Sequence, residues 1–217
     1  MLTRWLESIS IRQGLGTLRK VELFNALDAL YKTGSRVYHT MEHIGQCLDA
    51  YKEYCAVAPA NIEIVMALWC HDAIYDITRS DNEKRSAKLA EEMCSELAIF
   101  APRIEELVLL TRHDKTPDDE IGKLLTDIDL SILGQSYKVY RGYQEKIYKE
   151  YDAASRWKEF AEKRIPILES LLNRNEGRIY FTDYFYKKCG KDAFTNIHRE
   201  LIELKEKLKT NTKFGES

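Results

Sequence analysis

The chain has 217 residues, with 33 Lys and Arg against 35 Asp and Glu, for a formal net charge of −2. That balance gives no bulk electrostatic drive towards a nucleic-acid polymer or a membrane surface. No apolar run approaches the ~18 residues of a membrane span, and the opening stretch, MLTRWLESISIRQG, scatters charges among its apolar residues where a secretory core would be. The expectation is a cytoplasmic protein, and the length suits one domain, 1–217, able to bury a sizeable core.

In chain order the pattern is helical. The first 15 or so residues are expected to pack onto the domain. Thr40 is placed to cap a helix on which Ile44, Leu48, Tyr51 and Cys55 share one face. Ile62–Cys70 is apolar nearly all round, which predicts a helix in the middle of a bundle. Ser80 and Glu83 form a capping box for the next helix. Ile104, Leu107, Val108 and Thr111 mark another. Thr116 then acts as a cap with Pro117 at the first helical position, leading into Ile121, Leu124, Leu125 and Ile128. Gly134 is expected to close that stretch. Beyond it lie amphipathic stretches at about 154–173, interrupted by Pro166, and about 190–209, then a frayed polar tail over 210–217. Strand-like alternation is hard to find, and 10 Gly and 4 Pro leave little room for tight turns. The predicted fold is all-α, a helical bundle.

The five cysteines (Cys47, Cys55, Cys70, Cys94, Cys189) are odd in number and contain no CxxC. Three sit in apolar helical patterns, so reduced, buried thiols are expected rather than a zinc site or a disulfide scaffold. Tyr137, Tyr140, Tyr143, Tyr148 and Tyr151 crowd one region. Helix packing explains them best, with a nucleobase-stacking wall as the alternative.

The chemistry centres on the histidines. His39 and His43 lie one helical turn apart. His71 and Asp72 end the buried apolar helix, where unsatisfied polar groups would cost several kcal/mol. A divalent metal ion satisfies both, with an imidazole nitrogen and a carboxylate oxygen as ligands. His43 and a carboxylate near Asp129 can come from neighbouring helices. A His/His/Asp/Asp set with positions left for water suits octahedral Mn, Fe, Co, Ni or Mg better than closed tetrahedral Zn. Each part alone has a plainer explanation. His71–Asp72 alone would more often be an ion pair, His113–Asp114 precedes a new cap, and Asp127 and Asp129 can be helix-end acids.

The order His43, His71–Asp72, Asp129, with the stretches RVYHTMEHI, WCHDAIYD, SDNEKRSA, LTRHD and LTDIDLSILG, resembles the HD superfamily of metal-dependent phosphohydrolases over about residues 20–210. The resemblance implies an HD-type helical bundle with metal ligands His43, His71, Asp72 and Asp129, Asp127 being the fallback for the last. It also implies a small phosphorylated substrate, such as a nucleotide, hydrolysed by metal-activated water. Asp72 would be ligand and proton acceptor, and His113 and His39 would donate to phosphate or act as general acid. Arg36, Arg112 and Lys84 would neutralise phosphoryl oxygens, although a solvated helix face explains Lys84 and Arg112 equally well and the capping box explains Glu83. Some mononuclear members carry a Glu three residues after the HD Asp. Here Tyr75 stands there, so Asp76 or Glu42 would have to serve. Only His113 lies between the HD pair and Asp129, which favours one metal per chain over two and ranks a di-iron oxygenase low. The alternative from another class is a non-catalytic metal- or nucleotide-binding regulatory module. The charged, Tyr-rich C-terminal helices offer a face for a homodimer.

Overall fold

A computed structural model describes residues 1–10, 16–152 and 156–213, the last three by backbone alone. Among the described residues all regular structure is helical, with no strand, as the periodicity predicts. None of the described helices is long and apolar enough to cross a membrane. The chain divides into two compact units, Met1–Asp129 and Leu130–Ser217.

The first unit contains α1 (Leu2–Ser8), α2 (Thr17–Leu30), α3 (Met41–Tyr54), α4 (Ile62–Cys70), α5 (Asn82–Glu96), α6 (Ile104–Leu110) and α7 (Glu120–Asp129). A helix that is apolar on every side must be surrounded, and α4 packs against α3, α5, α6 and α7. Met66, Ala67, Leu68, Trp69 and Cys70 are wholly buried. The N-terminal helices close over the end of α4. Trp5 and Phe24 meet the Trp69 ring edge-on, with centroids at 5.4 and 6.3 Å, and the Tyr31 hydroxyl donates to the Trp69 carbonyl at 2.9 Å. The last turn before His71 is therefore held by both an aromatic cluster and a buried hydrogen bond. Residues 11–15 of the N-terminal stretch lie outside the described residues.

Two helix starts differ from expectation. Ser80 does not cap α5. That position belongs to Asp81, whose carboxylate is turned to the Arg79 guanidinium at 2.7 Å. Asn82 and Ser86, one turn apart, instead bind the loop that follows Asp72. The Asn82 amide accepts from the Asp76 N–H and donates to the Asp76 carbonyl, and the Ser86 hydroxyl does the same for Ile74. For α7 the cap is Asp119 rather than Thr116, its carboxylate accepting from the Gly122 N–H at 2.9 Å. Pro117 and Asp118 thus belong to the approach to the helix. Thr40 caps α3 as predicted, accepting from the Glu42 N–H.

The second unit contains a 3-10 segment (Leu130–Gly134), α8 (Tyr137–Glu150), α9 (Trp157–Asn173), a 3-10 turn (Asn175–Gly177) and α10 (Asp183–Lys213). Helix α9 continues through Pro166 where an interruption is expected. Pro166 and Glu162 both face solvent, so the carbonyl that loses its N–H partner there can turn to water. Helix α10 starts earlier than the apolar pattern indicates, because the Thr182 hydroxyl accepts from the Phe185 N–H. It also continues through Lys213, into the expected frayed tail, of which 214–217 lie outside the described residues. Tyr140 and Tyr143 are core residues as packing predicts. Their hydroxyls join a buried network in which Tyr140 donates to Glu200, and Arg164 donates to Glu200 and to the Tyr143 oxygen, both at 2.9 Å. The cysteines are free, with Cys47, Cys70, Cys94 and Cys189 buried.

Two glycines make opposite predictions. A Cβ on Gly122 would lie 2.7 Å from Leu110 Cδ1 and 3.0 Å from Pro117 Cβ, so Gly122→Ala is expected to cost about 1–3 kcal/mol. A Cβ on Gly142, inside α8, meets nothing within 4 Å, so Gly142→Ala is expected to add about 0.4–1 kcal/mol. Urea denaturation of the two variants measures both signs.

Candidate metal centre

Three elements of the first unit supply four side chains. His43 comes from the first turn of α3. His71 and Asp72 directly follow α4. Asp129 is the last residue of α7. Their donor atoms converge. His43 Nε2 lies 3.2 Å from His71 Nε2, 3.0 Å from Asp129 Oδ1 and 3.6 Å from Asp72 Oδ2. His71 Nε2 lies 3.1 Å from Asp72 Oδ2 and 3.3 Å from Asp129 Oδ1. Ligands bound at about 2.1 Å stand about 3.0 Å apart at octahedral right angles and about 3.4 Å apart at tetrahedral angles. These five spacings fit a single ion, and buried His43 and His71 with partly buried Asp72 and Asp129 can hold one.

The backbone prepares the donors. His71 Nδ1 is 3.1 Å from the Leu68 carbonyl. A carbonyl accepts only, so Nδ1 carries a proton, and in the neutral ring Nε2 is the nitrogen left with a lone pair towards the cluster. Asp129 is held from its other oxygen, with Oδ2 2.8 Å from His113 Nε2. His113 follows α6 with a left-handed backbone, φ +59°, which aims its ring at Asp129. Asp127 is fully buried, but it is Asp129 whose carboxylate reaches the three histidines.

The charges are strongly coupled. Burial opposes the imidazolium of His71, yet the carboxylates of Asp72 and Asp129 outweigh it and hold the His71 pKa well above its usual value. Burial likewise opposes ionisation of Asp72 and Asp129, and the histidines override it, holding both carboxyls well below their usual range. Cys47, one turn after His43, places its sulfur 3.7 Å from the His43 ring nitrogens. Burial and then the two aspartates push its thiol well up in the metal-free chain, and its sulfur lies close enough to donors of His43 and Asp129 to be a further ligand.

The other expected site residues fall into two groups. His39 is near the centre: its ring stacks on Tyr75 at 4.3 Å and lies 6.0 Å from the His43 ring, and its charge acts on Asp72. Arg36 is also near, but its guanidinium is turned to the backbone. It donates to the carbonyls of Asp72 (2.5 Å), Ala73 (2.8 Å) and His39 (3.1 Å), with Tyr31 and Tyr75 flanking its charge. It thus clamps the turn that carries the His–Asp pair. The second group lies outside the cluster. Arg112 pairs with Asp114 at 3.3 Å, Lys84 is an exposed residue of α5, and Glu83 is an ordinary first-turn acid. Asp76 is engaged by Thr78 in its own loop. Sequence reasoning did not anticipate the Leu68 carbonyl, the Arg36 clamp, the His39–Tyr75 stack or the Cys47 contact. Only Cys47, at i+4 from His43, left a readable signal.

Compared with protein-family models, curated proteins and solved structures, the chain matches none.

Two outcomes follow. Arg36→Ala removes charge-assisted bonds to three carbonyls and is expected to weaken metal affinity by about 10–100-fold, as measured by competition with a chromophoric chelator. The second concerns pH. The raised His71 pKa stabilises the metal-free protein fully below the unfolded value of about 6.5, and this stabilisation is lost as pH rises through the folded value. Metal binding needs neutral His71, so protons compete with it. The Tm gap between metal-loaded and metal-free protein is therefore expected to widen as pH rises above about 6.5 towards the raised His71 value.

Proposed function

We propose that the chain is a divalent-metal-dependent phosphohydrolase of the HD type acting on a small phosphorylated metabolite, a nucleotide above all. The observation that carries the reading is the convergence of His43, His71, Asp72 and Asp129, with the His71 tautomer set by Leu68. The order of these residues and the flanking stretches, which resemble the HD superfamily, add to it. A divalent ion held there would supply a Lewis acid for a phosphoryl oxygen and for a water.

The chain's own residues then take separate tasks. Asp72 and Asp129 are ionised and bring two negative charges, so the set favours a divalent cation over a neutral occupant. His113 and His39 are the partly accessible imidazoles beside the cluster, and both can donate to phosphate oxygens or move a proton. With Arg36 bound to backbone carbonyls, recognition of phosphate charge falls on these two histidines more than on arginine. Two imidazoles and two carboxylates form an oxygen- and nitrogen-rich set that suits Mn, Fe, Co, Ni or Mg. One ion per chain is the reading the four-atom cluster supports.

The test is elemental analysis of untagged, chelator-free protein together with a phosphatase screen using the metal found. About one transition metal per chain is expected, absent from His71→Ala and Asp129→Asn. Hydrolysis should also fall by about 10²–10⁴-fold in His113→Ala while the metal stays bound. Metal binding with no hydrolysis of any phosphate ester or anhydride would turn the reading to a metal-sensing or ligand-binding module.

A further inference from the structure

The second unit contains a cavity of about 350 Å³ remote in sequence from the metal ligands, lined by α8, α9 and α10. Its volume falls in the range of pockets that take small organic ligands, ~300–1,000 Å³. One wall is aromatic and continuous. Tyr148, Trp157 and Phe160 contact one another with ring centroids 5.7, 5.8 and 6.1 Å apart. Over that wall stands an ammonium group. Lys207 Nζ lies 3.5 Å from the Trp157 ring centroid and 5.6 Å from that of Tyr148.

Of the charged residues lining the cavity, Glu145, Lys149 and Lys207 have no ion pair among the described residues, which leaves the lining one positive charge in excess. Glu200 is already neutralised by Arg164 at 2.9 Å, and Glu203 by Arg141 at 2.8 Å. Lys207 makes no ion pair with a carboxylate among the described residues. Its charge rests on ring faces alone, an interaction of modest strength at an exposed site. An anion placed beside it would gain a charge-assisted hydrogen bond without first breaking an ion pair. A flat ring would meanwhile gain stacking on Tyr148, Trp157 and Phe160.

We propose that this cavity binds a planar aromatic anion, its ring against the Tyr148–Trp157–Phe160 wall and its acidic group on Lys207. Tyr148 belongs to the tyrosine-rich stretch whose other candidate role was stacking a nucleobase. Tyr140 and Tyr143 are committed to the core, whereas Tyr148 is partly exposed on the cavity. The proposal is independent of the metal centre and stands or falls without it.

The test uses full-length His71→Ala protein treated with chelator, so that the metal centre contributes no binding. Calorimetry and tryptophan fluorescence follow titration with AMP, with 1-naphthoate as a carboxylate in place of the phosphate, and with adenosine, ribose 5-phosphate and choline. One-to-one binding of AMP or 1-naphthoate is expected, and whichever binds more tightly identifies the acidic group. Adenosine and ribose 5-phosphate should each bind about tenfold or more weaker than AMP, the loss of one charge-assisted contact or one stacked ring. Lys207→Gln, an exposed change on α10, should weaken the anions by a similar factor, and Trp157→Phe should abolish the fluorescence response. Failure of both anions to bind would overturn the proposal. So would affinity unchanged in Lys207→Gln, or choline binding more tightly than either anion, which would make the cavity an aromatic cage for cations.

Discussion

Two buried imidazole nitrogens lie 3.2 Å from one another and 3.0–3.6 Å from oxygens of two partly buried carboxylates, and such lone pairs cannot face one another without positive charge among them. The arrangement of the first unit follows from that constraint. In the metal-free chain the charge is a proton on the His71–Asp72–Asp129 group, which is why burial fails to neutralise any of the three. A divalent ion held there would replace the proton and add a second charge.

Holding such a cluster requires that its supports do not move. Helix α4 cannot slide, because Trp69 is enclosed by Trp5 and Phe24 and its carbonyl is bonded to Tyr31. The turn after it cannot open without breaking the Arg36 bonds to the Asp72 and Ala73 carbonyls or the Ser86 and Asn82 bonds to Ile74 and Asp76. A residue that looks catalytic by type can therefore serve the geometry instead. Arg36 has the charge of a phosphate ligand and the contacts of a brace.

Much of this was legible in the sequence because it depends on local pattern. The all-apolar Ile62–Cys70 run announces a central helix, Thr40 announces the start of α3, and His43, His71–Asp72 and Asp129 converge as their order implies. The rest depends on competition between neighbours. Ser80 and Thr116 are good caps that lose to Asp81 and Asp119. The chain reaches each helix one and three residues later than the motif indicates, because Pro117 packs beside Gly122 and Asn82 is drawn to Asp76. The destination of the Arg36 guanidinium is a matter of which carbonyls lie within reach after folding, and no local spacing encodes it. Pro166 does not break α9, because its exposure there is a property of packing that composition does not encode.

The left-handed backbone at His113 places stability and chemistry in opposition. An L-residue at φ +59° carries a conformational cost of about 1 kcal/mol that glycine does not. The cost is tolerated because it turns an imidazole onto Asp129. A glycine at this position would relax the loop and remove the ring, giving a sturdier protein with a poorer site. Drift selected only for folding would be drawn towards that exchange, so a histidine retained there among diverging descendants of this chain would be a record of selection for what the site does.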